Sequence, residues 1–167
     1  MFAERTSEVW RRVESLVQNE GLGLYDLELL AGGLKVTLHS KDGVKSGDCS
    51  RICKRLVVLA SVEGENLGIG SAPQIEVNSP GINRTLRINE HFAGAVGERV
   101  KLVIAAGKEM PGELPIELPK ELVAQLVSFE SDTLKLVTKE GSKKAPLSKE
   151  WEVPLSIVKK ARVDFEF

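Results

Sequence analysis

Apolar residues in the first half of this chain recur at two periods, and in the second half at only one. Val9, Trp10, Val13, Leu16 and Val17 return every three or four residues, while Arg11, Arg12, Glu14, Ser15 and Gln18 fill the other side. That spacing gathers one face of a helix. Tyr25, Leu27 and Leu29 then alternate with Asp26 and Glu28, the period of a half-buried strand. After Ala31-Gly32-Gly33, a turn in which glycine reaches positive φ at little steric cost, Leu34, Val36 and Leu38 alternate with Lys35, Thr37 and His39. The two runs form a hairpin. Helical spacing resumes at Cys49, Ile52, Cys53, Leu56, Val57 and Ala60, with Ser50, Arg51, Lys54 and Arg55 off the stripe. Thr6 or Ser7 and then Ser46 are placed to cap the two helices, with Glu8 and Asp48 in their first turns and Gly21 ending the first. Gln74–Asn78 reads as a third strand. The order α-β-β-α-β predicts a small sheet with both helices on one face.

Beyond Ser79-Pro80-Gly81 the helical period fades. Short β-like runs at 100–104, 122–129, 134–137, 151–153 and 161–167 are separated by turn-prone stretches. Several short strands with little helix predict a small β-barrel. The Pro/Glu-rich residues 110–119 read as an extended excursion between two strands, since proline cannot donate to a central ladder. The expectation is an α+β chain with an N-terminal α/β domain over 1–88 and a barrel over 89–167.

Charge narrows the function classes. Lys and Arg total 23 against 24 Asp and Glu, a formal charge of −1, which excludes a polybasic coat that binds by releasing counterions from phosphates. At 42% hydrophobic the chain has enough apolar surface for a core. No apolar run approaches the ~18 residues of a membrane span, and the first residues lack the basic and apolar regions of a secretory signal. A soluble, cytoplasmic, reducing setting is expected.

Catalytic chemistry is hard to find. Cys49 and Cys53 offer half a zinc site, but His39 and His91 lack paired spacing, so both cysteines read as small buried residues. The glycine loop 64–70 follows a helix, leads into a strand and lacks the Lys-Ser/Thr of a phosphate loop, so it reads as a connector. Ser79 has no Gly-x-Ser-x-Gly elbow. Glu76 and Asp26 read as solvated carboxylates on strands, and Asn83-Arg84-Thr85 as an incidental glycosylation match. No catalytic residue, metal, cofactor or small-molecule substrate is expected. The positive features are cations: Arg51, Lys54 and Arg55 on the second helix, Arg84 and Arg87 after the Ser-Pro-Gly turn, Lys143-Lys144, and Lys159-Lys160-Arg162. Arginine's planar fork suits phosphate and protein contacts better than lysine does.

Residues Ile75-Glu76-Val77-Asn78-Ser79-Pro80-Gly81-Ile82-Asn83-Arg84-Thr85-Leu86 resemble the signature of the RimP family of bacterial ribosome maturation factors, roughly Leu-Glu-Val-Ser-Ser-Pro-Gly-Leu-Asp-Arg-Pro-Leu. The likeness continues at Glu90-His91-Phe92, at 96–100 (Val-Gly-Glu-Arg-Val) and at 153–163, similar to the family's Ile-Pro-Leu-x-x-Ile-x-Lys-Ala-Arg-Leu ending. Ser46-Gly47-Asp48-Cys49 stands where the family opens its second helix with Thr-Leu-Asp-Asp-Cys. The resemblance implies an α-β-β-α-β domain followed by an SH3-like or Sm-like barrel. It implies a non-enzymatic, monomeric factor that binds the free small (30S) ribosomal subunit, through a ribosomal protein or rRNA, and assists its maturation.

On that footing Arg84 and Arg87, then Arg51 and Arg55, are the expected partner contacts, with Ser79, Pro80, Gly81 and Asn83 shaping the surface. The same turn equally suits a purely architectural join between two domains. Asn83 stands where the family has Asp and Thr85 where it has Pro, so a negative charge and a fixed φ are lost there. The competing reading is a stand-alone RNA-binding module using the Sm-like barrel. Aromatic residues for base stacking are only 5% of the chain, which weighs against it.

Overall fold

Ser7 starts the first helix. In the computed structural model, which describes residues 1–105, 118–140 and 147–165, Ser7 is extended and its hydroxyl accepts the Trp10 N–H at 3.3 Å. The cap is therefore Ser7 rather than Thr6. The helix that follows, α1 (Glu8–Asn19), buries Val9, Trp10, Val13 and Val17. β1 (Gly23–Leu30) and β2 (Gly33–His39) pair antiparallel, and β3 (Gln74–Asn78) pairs parallel to β2. A parallel neighbour needs a crossover, which α2 (Ser46–Glu63) supplies. Residues 1–3 extend the sheet on the β1 side: Ala3 N–H donates to Leu27 O at 2.8 Å and Leu29 N–H to Met1 O at 2.7 Å.

One core joins these elements. Leu27, Leu34, Val36 and Leu38 from the sheet meet Val9, Trp10, Val13 and Val17 of α1 and Ile52, Leu56 and Ala60 of α2. Leu27 pairs with Val36 in register, so these strand residues share a side, and both helices lie on that one face. Ion pairs join the helices at both ends. The Arg12 fork reaches Glu63 with bonds of 2.8 Å, and Glu20, the residue after α1, takes Arg51 at 2.8 Å and Arg55 at 3.1 Å. The start of each helix thus meets the end of the other. Exposed pairs of this kind fix orientation more than they stabilise.

Three details depart from the sequence reading. Lys45 is the N-cap of α2 and Ser46 its first residue, with Asp48 Oδ2 accepting the Lys45 N–H at 2.9 Å. Val57 is 54% exposed, because Ile52, Leu56 and Ala60 already define the buried line of the helix. Asp26 is buried rather than solvated: the register shifts between Leu24 and Asp26, and its Oδ1 accepts the Leu27 N–H at 2.9 Å. Glu76 is exposed, and its Oε1 accepts from Asn78 at 3.1 Å.

The chain divides into two units, Met1–Pro80 and Gly81–Phe167. The division falls ahead of the expected 88/89 boundary because residues 84–86 hydrogen-bond to a strand of the second unit. That unit contains α3 (Asn89–Gly94), β4 (Arg99–Ile104), β5 (Glu121–Glu130), β6 (Thr133–Glu140), β7 (Leu147–Pro154) and β8 (Val158–Val163), with a 3-10 turn at Leu155–Ile157. Its sheet runs β7-β6-β5-β4-β8, every pair antiparallel. Val100, Leu102, Leu126, Leu134, Leu136, Val153 and Ile157 are its deepest strand and turn residues, and Phe92 of α3 packs against Phe129 with ring centroids 5.7 Å apart.

The chain is therefore mixed α+β with a three-stranded and a five-stranded sheet. Helix α3 was not expected; it is a short helix with one buried aromatic, too brief to show a period. His91 Nδ1 accepts the Arg87 N–H at 3.0 Å and the Ile88 N–H at 3.4 Å, so this ring nitrogen caps the helix start. Residues 110–117 of the Pro/Glu-rich stretch and Lys143-Lys144 lie outside the described residues. Among the described residues no helix is long and apolar enough to cross a membrane.

The glycine loop has a packing role at its first residue. Gly64 ends α2, and its carbonyl accepts the Ile69 and Gly70 N–H groups at 2.9 and 3.1 Å. A Cβ there would strike the Gly70 and Ala60 carbonyl oxygens. Gly64→Ala is expected to lower the stability of the first unit by about 1 to 3 kcal/mol, the cost of overpacking. Gly47→Ala, where a Cβ meets open space in the first turn of α2, should be neutral or stabilise by up to about 1 kcal/mol. Urea unfolding followed by Trp10 fluorescence in a Trp151→Phe background reads both.

Candidate functional site

The residues after the Ser-Pro-Gly turn join the second unit's last strand. Gly81 has φ +75°, the positive value expected of it, and a side chain would be strained there. Leu86 N–H then donates to Ala161 O and Val163 N–H to Arg84 O, both at 2.9 Å, with Thr85 opposite Arg162. Residues 84–86 therefore act as a short strand on the outer edge of β8. Leu86 enters the core at 3% exposure.

Two side chains secure this segment. Asn83 Oδ1 accepts the Phe165 N–H at 2.9 Å. Arg84 places its guanidinium fork on Glu98, Nη1 to Oε2 and Nη2 to Oε1 at 3.0 Å each, and Nη2 also reaches Gly94 O at 3.4 Å. The side chain is 22% exposed, so the pair is partly withdrawn from water. A bidentate fork in that setting is directional as well as strong. Arg84 is thus committed within the unit rather than presented outward. Glu98, which the residue patterns did not single out, is its partner.

The other expected contact residues are spread over both units. Arg51 and Arg55 belong to the first, where they share Glu20, and Arg51 Nη2 also bonds Asp48 Oδ1 at 2.9 Å. Arg87 belongs to the second and is half-buried. Ser79 is exposed and Pro80 half-buried at the end of the first unit. Beside Gly81, a cleft of about 560 Å³ has Ile82 and Phe165 on its rim, both more than half exposed, with Arg84, Glu98, Arg99 and Asp164 along its wall.

A cationic face lies next to this cleft. Val100, Leu102 and Ile104 of β4 and Ala161 and Val163 of β8 point into the core, so Arg99 and Lys101, and Lys160 and Arg162, take the outward positions. Lys101 stands directly opposite Arg162, and Lys160 opposite Val103. Asp164 bridges Arg99 at 3.3 Å and Arg162 at 3.6 Å, and Glu121 holds Lys101 at 3.1 Å. Lys159 is the exposed extra residue where the register shifts. The Lys159-Lys160-Arg162 run was visible in the sequence. Its alignment with Arg99 and Lys101 was not, because register brings them together across a long separation.

Cys49 and Cys53 are half-buried free thiols, and among the described residues no group of three or more His, Cys, Asp or Glu is arranged to hold a metal ion. Among the described residues, Asp48 is the carboxyl whose pKa clearly departs from the ordinary value. The Lys45 N–H, and after it Arg51, hold it below the ordinary aspartate value despite some desolvation. No protein-family model matches the chain.

Asn83→Ala is expected to cost about 1 kcal/mol by removing a backbone acceptor, and Asn83→Asp to retain the fold because the acceptor survives. Arg84→Ala should cost about 1 to 2 kcal/mol by breaking the fork and leaving Glu98 unpaired. Chemical denaturation followed by Trp151 fluorescence compares the three. Asp48 gives a pH expectation. Its folded pKa is depressed, so its contribution is present above the unfolded aspartate value and disappears as pH falls through the lower folded value. The Lys45 amide resonance should titrate with the Asp48 carboxyl over that acidic window, and Asp48→Asn should abolish the titration.

Proposed function

We propose that this chain is a ribosome maturation factor that binds the free small ribosomal subunit and assists its assembly without catalysing a reaction. One observation carries the reading. Three of the sequence blocks behind the resemblance, 75–86, 96–100 and 153–163, meet in space through Arg84–Glu98, Arg84 O to Val163 N–H and Leu86 N–H to Ala161 O. Blocks far apart in the chain that converge on one bonded assembly support reading them together as one structural unit.

The finer fold follows the same reading. A five-stranded antiparallel sheet whose last strand returns beside its first, after a 3-10 turn, supports an SH3-like or Sm-like barrel for the second unit. The first unit's α-β-β-α-β order supports the matching N-terminal domain. Two units on one chain raise the effective concentration of the second contact once the first is made, so weak contacts suffice and release stays possible. The near-zero net charge suits recognition of a shaped particle over indiscriminate coating of RNA. The factor works in the cytoplasm, as a monomer, with a ribosomal protein or rRNA as its contact. Arg87 and the rim of the Gly81 cleft belong to the second unit's share of that contact.

Sucrose-gradient sedimentation with purified ribosomal particles tests the reading. The protein is expected with free small subunits and absent from 70S ribosomes. Migration only with mature ribosomes, or with no particle, overturns it. A stand-alone RNA module would instead bind bare RNA as tightly as the subunit.

A further inference from the structure

Among the described residues, the outward positions of β4 and β8 carry cations and valine and no carboxylate of their own. Arg99, Lys101, Lys160 and Arg162 occupy these outward positions, and Asp164 and Glu121 are among the carboxylates bonded to them. Lys160 has no ion pair among the described residues. Lys101 and Arg162 are direct cross-strand neighbours. Like charges placed opposite each other on neighbouring strands repel. A chain of net charge −1 had acids to spare for this face. Glu121 and Asp164 offset part of that repulsion, and an anion laid across the pair would offset more.

We infer that this face binds the phosphate backbone of RNA, which makes rRNA the second unit's contact and rests on the function proposed above. The geometry suits a chain of phosphates. Cations two residues apart on a strand are about 6.6 Å from each other, and those on neighbouring strands about 4.8 Å, so a row of charges runs over the surface in two directions. The outward positions of β4, β5 and β8 carry valine, glutamine, glutamate, arginine and lysine, and no aromatic ring. Bases have nothing to stack on there. Contact is made through backbone charge, independent of sequence and sensitive to salt.

The test uses the full chain and its Lys160→Gln/Arg162→Gln variant, with fluorescein-labelled oligouridylate and a labelled fragment of small-subunit rRNA read by anisotropy over a potassium chloride series. The wild type should bind both RNAs with log K falling linearly against log salt. The double variant should lose roughly tenfold in affinity at low salt, and its slope should flatten by about 1.4, or about 0.7 for each cation removed from a single strand. The charge-preserving swap Lys160→Arg/Arg162→Lys should bind like the wild type, as should Lys41→Gln/Lys135→Gln, which removes two cations elsewhere. Equal binding and slope for wild type and Lys160→Gln/Arg162→Gln overturn the inference. So does a wild type that fails to bind either RNA, or one that binds poly-glutamate as tightly. Parallel sedimentation separates this result from the broader reading. Unchanged migration of the double variant with free small subunits removes the face and leaves the function. RNA binding that depends on Lys160 and Arg162, without migration on any subunit, keeps the face and removes the function.

Discussion

The hold of Arg84 on Glu98, together with the backbone bonds of residues 84–86 to β8, is the constraint on which the second unit depends. Without that segment β8 would end the sheet with unpaired N–H and C=O groups, an invitation to pair with other chains. With it, Val163 and Ala161 are satisfied and Leu86 is delivered into the core. The chain then reaches α3 at a fixed angle, because His91 caps that helix from within and Phe92 docks on Phe129. Arg84 thus acts at the root of the fold, and its charge is consumed there. A guanidinium that already shares two bonds with one carboxylate gains less from a further anion than an unpaired cation does.

Asn83 shows how a change of residue type alters charge while keeping a bond. The backbone N–H of Phe165 needs an acceptor, and an amide oxygen serves as well as a carboxylate oxygen. A carboxylate at that position would add a negative charge next in line to Asp164, which already bridges Arg99 and Arg162. The amide leaves the neighbouring cations less neutralised. An amide at position 83 is therefore compatible with the architecture of the second unit.

The elements with strong periods were readable from residues alone: α1, the β1–β2 hairpin, α2, β3 and the cores of β4 to β8. Each has apolar residues repeating at a spacing that only one secondary structure satisfies. What failed depended on tertiary distance. Asp26 alternates as a surface residue should, yet a register shift turns it inward. Val57 lies at helical spacing from Cys53 but outside the line that Ile52, Leu56 and Ala60 set. The short helix α3 has one buried ring and no repeat. The arginines were identified as the chemically active residues, while their partners Glu20, Glu63 and Glu98 were not. An ion pair between Arg12 and Glu63 leaves no trace in local pattern, because it exists only after two helices have packed.

The two units treat their cations differently, and the difference is physical. In the first, Glu20 engages Arg51 and Arg55, and Glu63 engages Arg12, so charges mainly orient helices against each other. Long side chains held in such pairs have already lost rotamer freedom to an internal partner. In the second, Asp164 is divided between Arg99 and Arg162, Glu121 holds Lys101, and Lys160 is left with no carboxylate among the described residues. The field above β4 and β8 is then not closed off by local acids and extends outward, within a Debye length of about 8 Å at physiological salt. A polyanion entering that range is attracted before any shape complementarity is tested, and cations fixed on a β-sheet surface need little rearrangement to receive it. Rigidity of the sheet, itself secured by residues 84–86, is what converts a modest excess of charge into a defined surface.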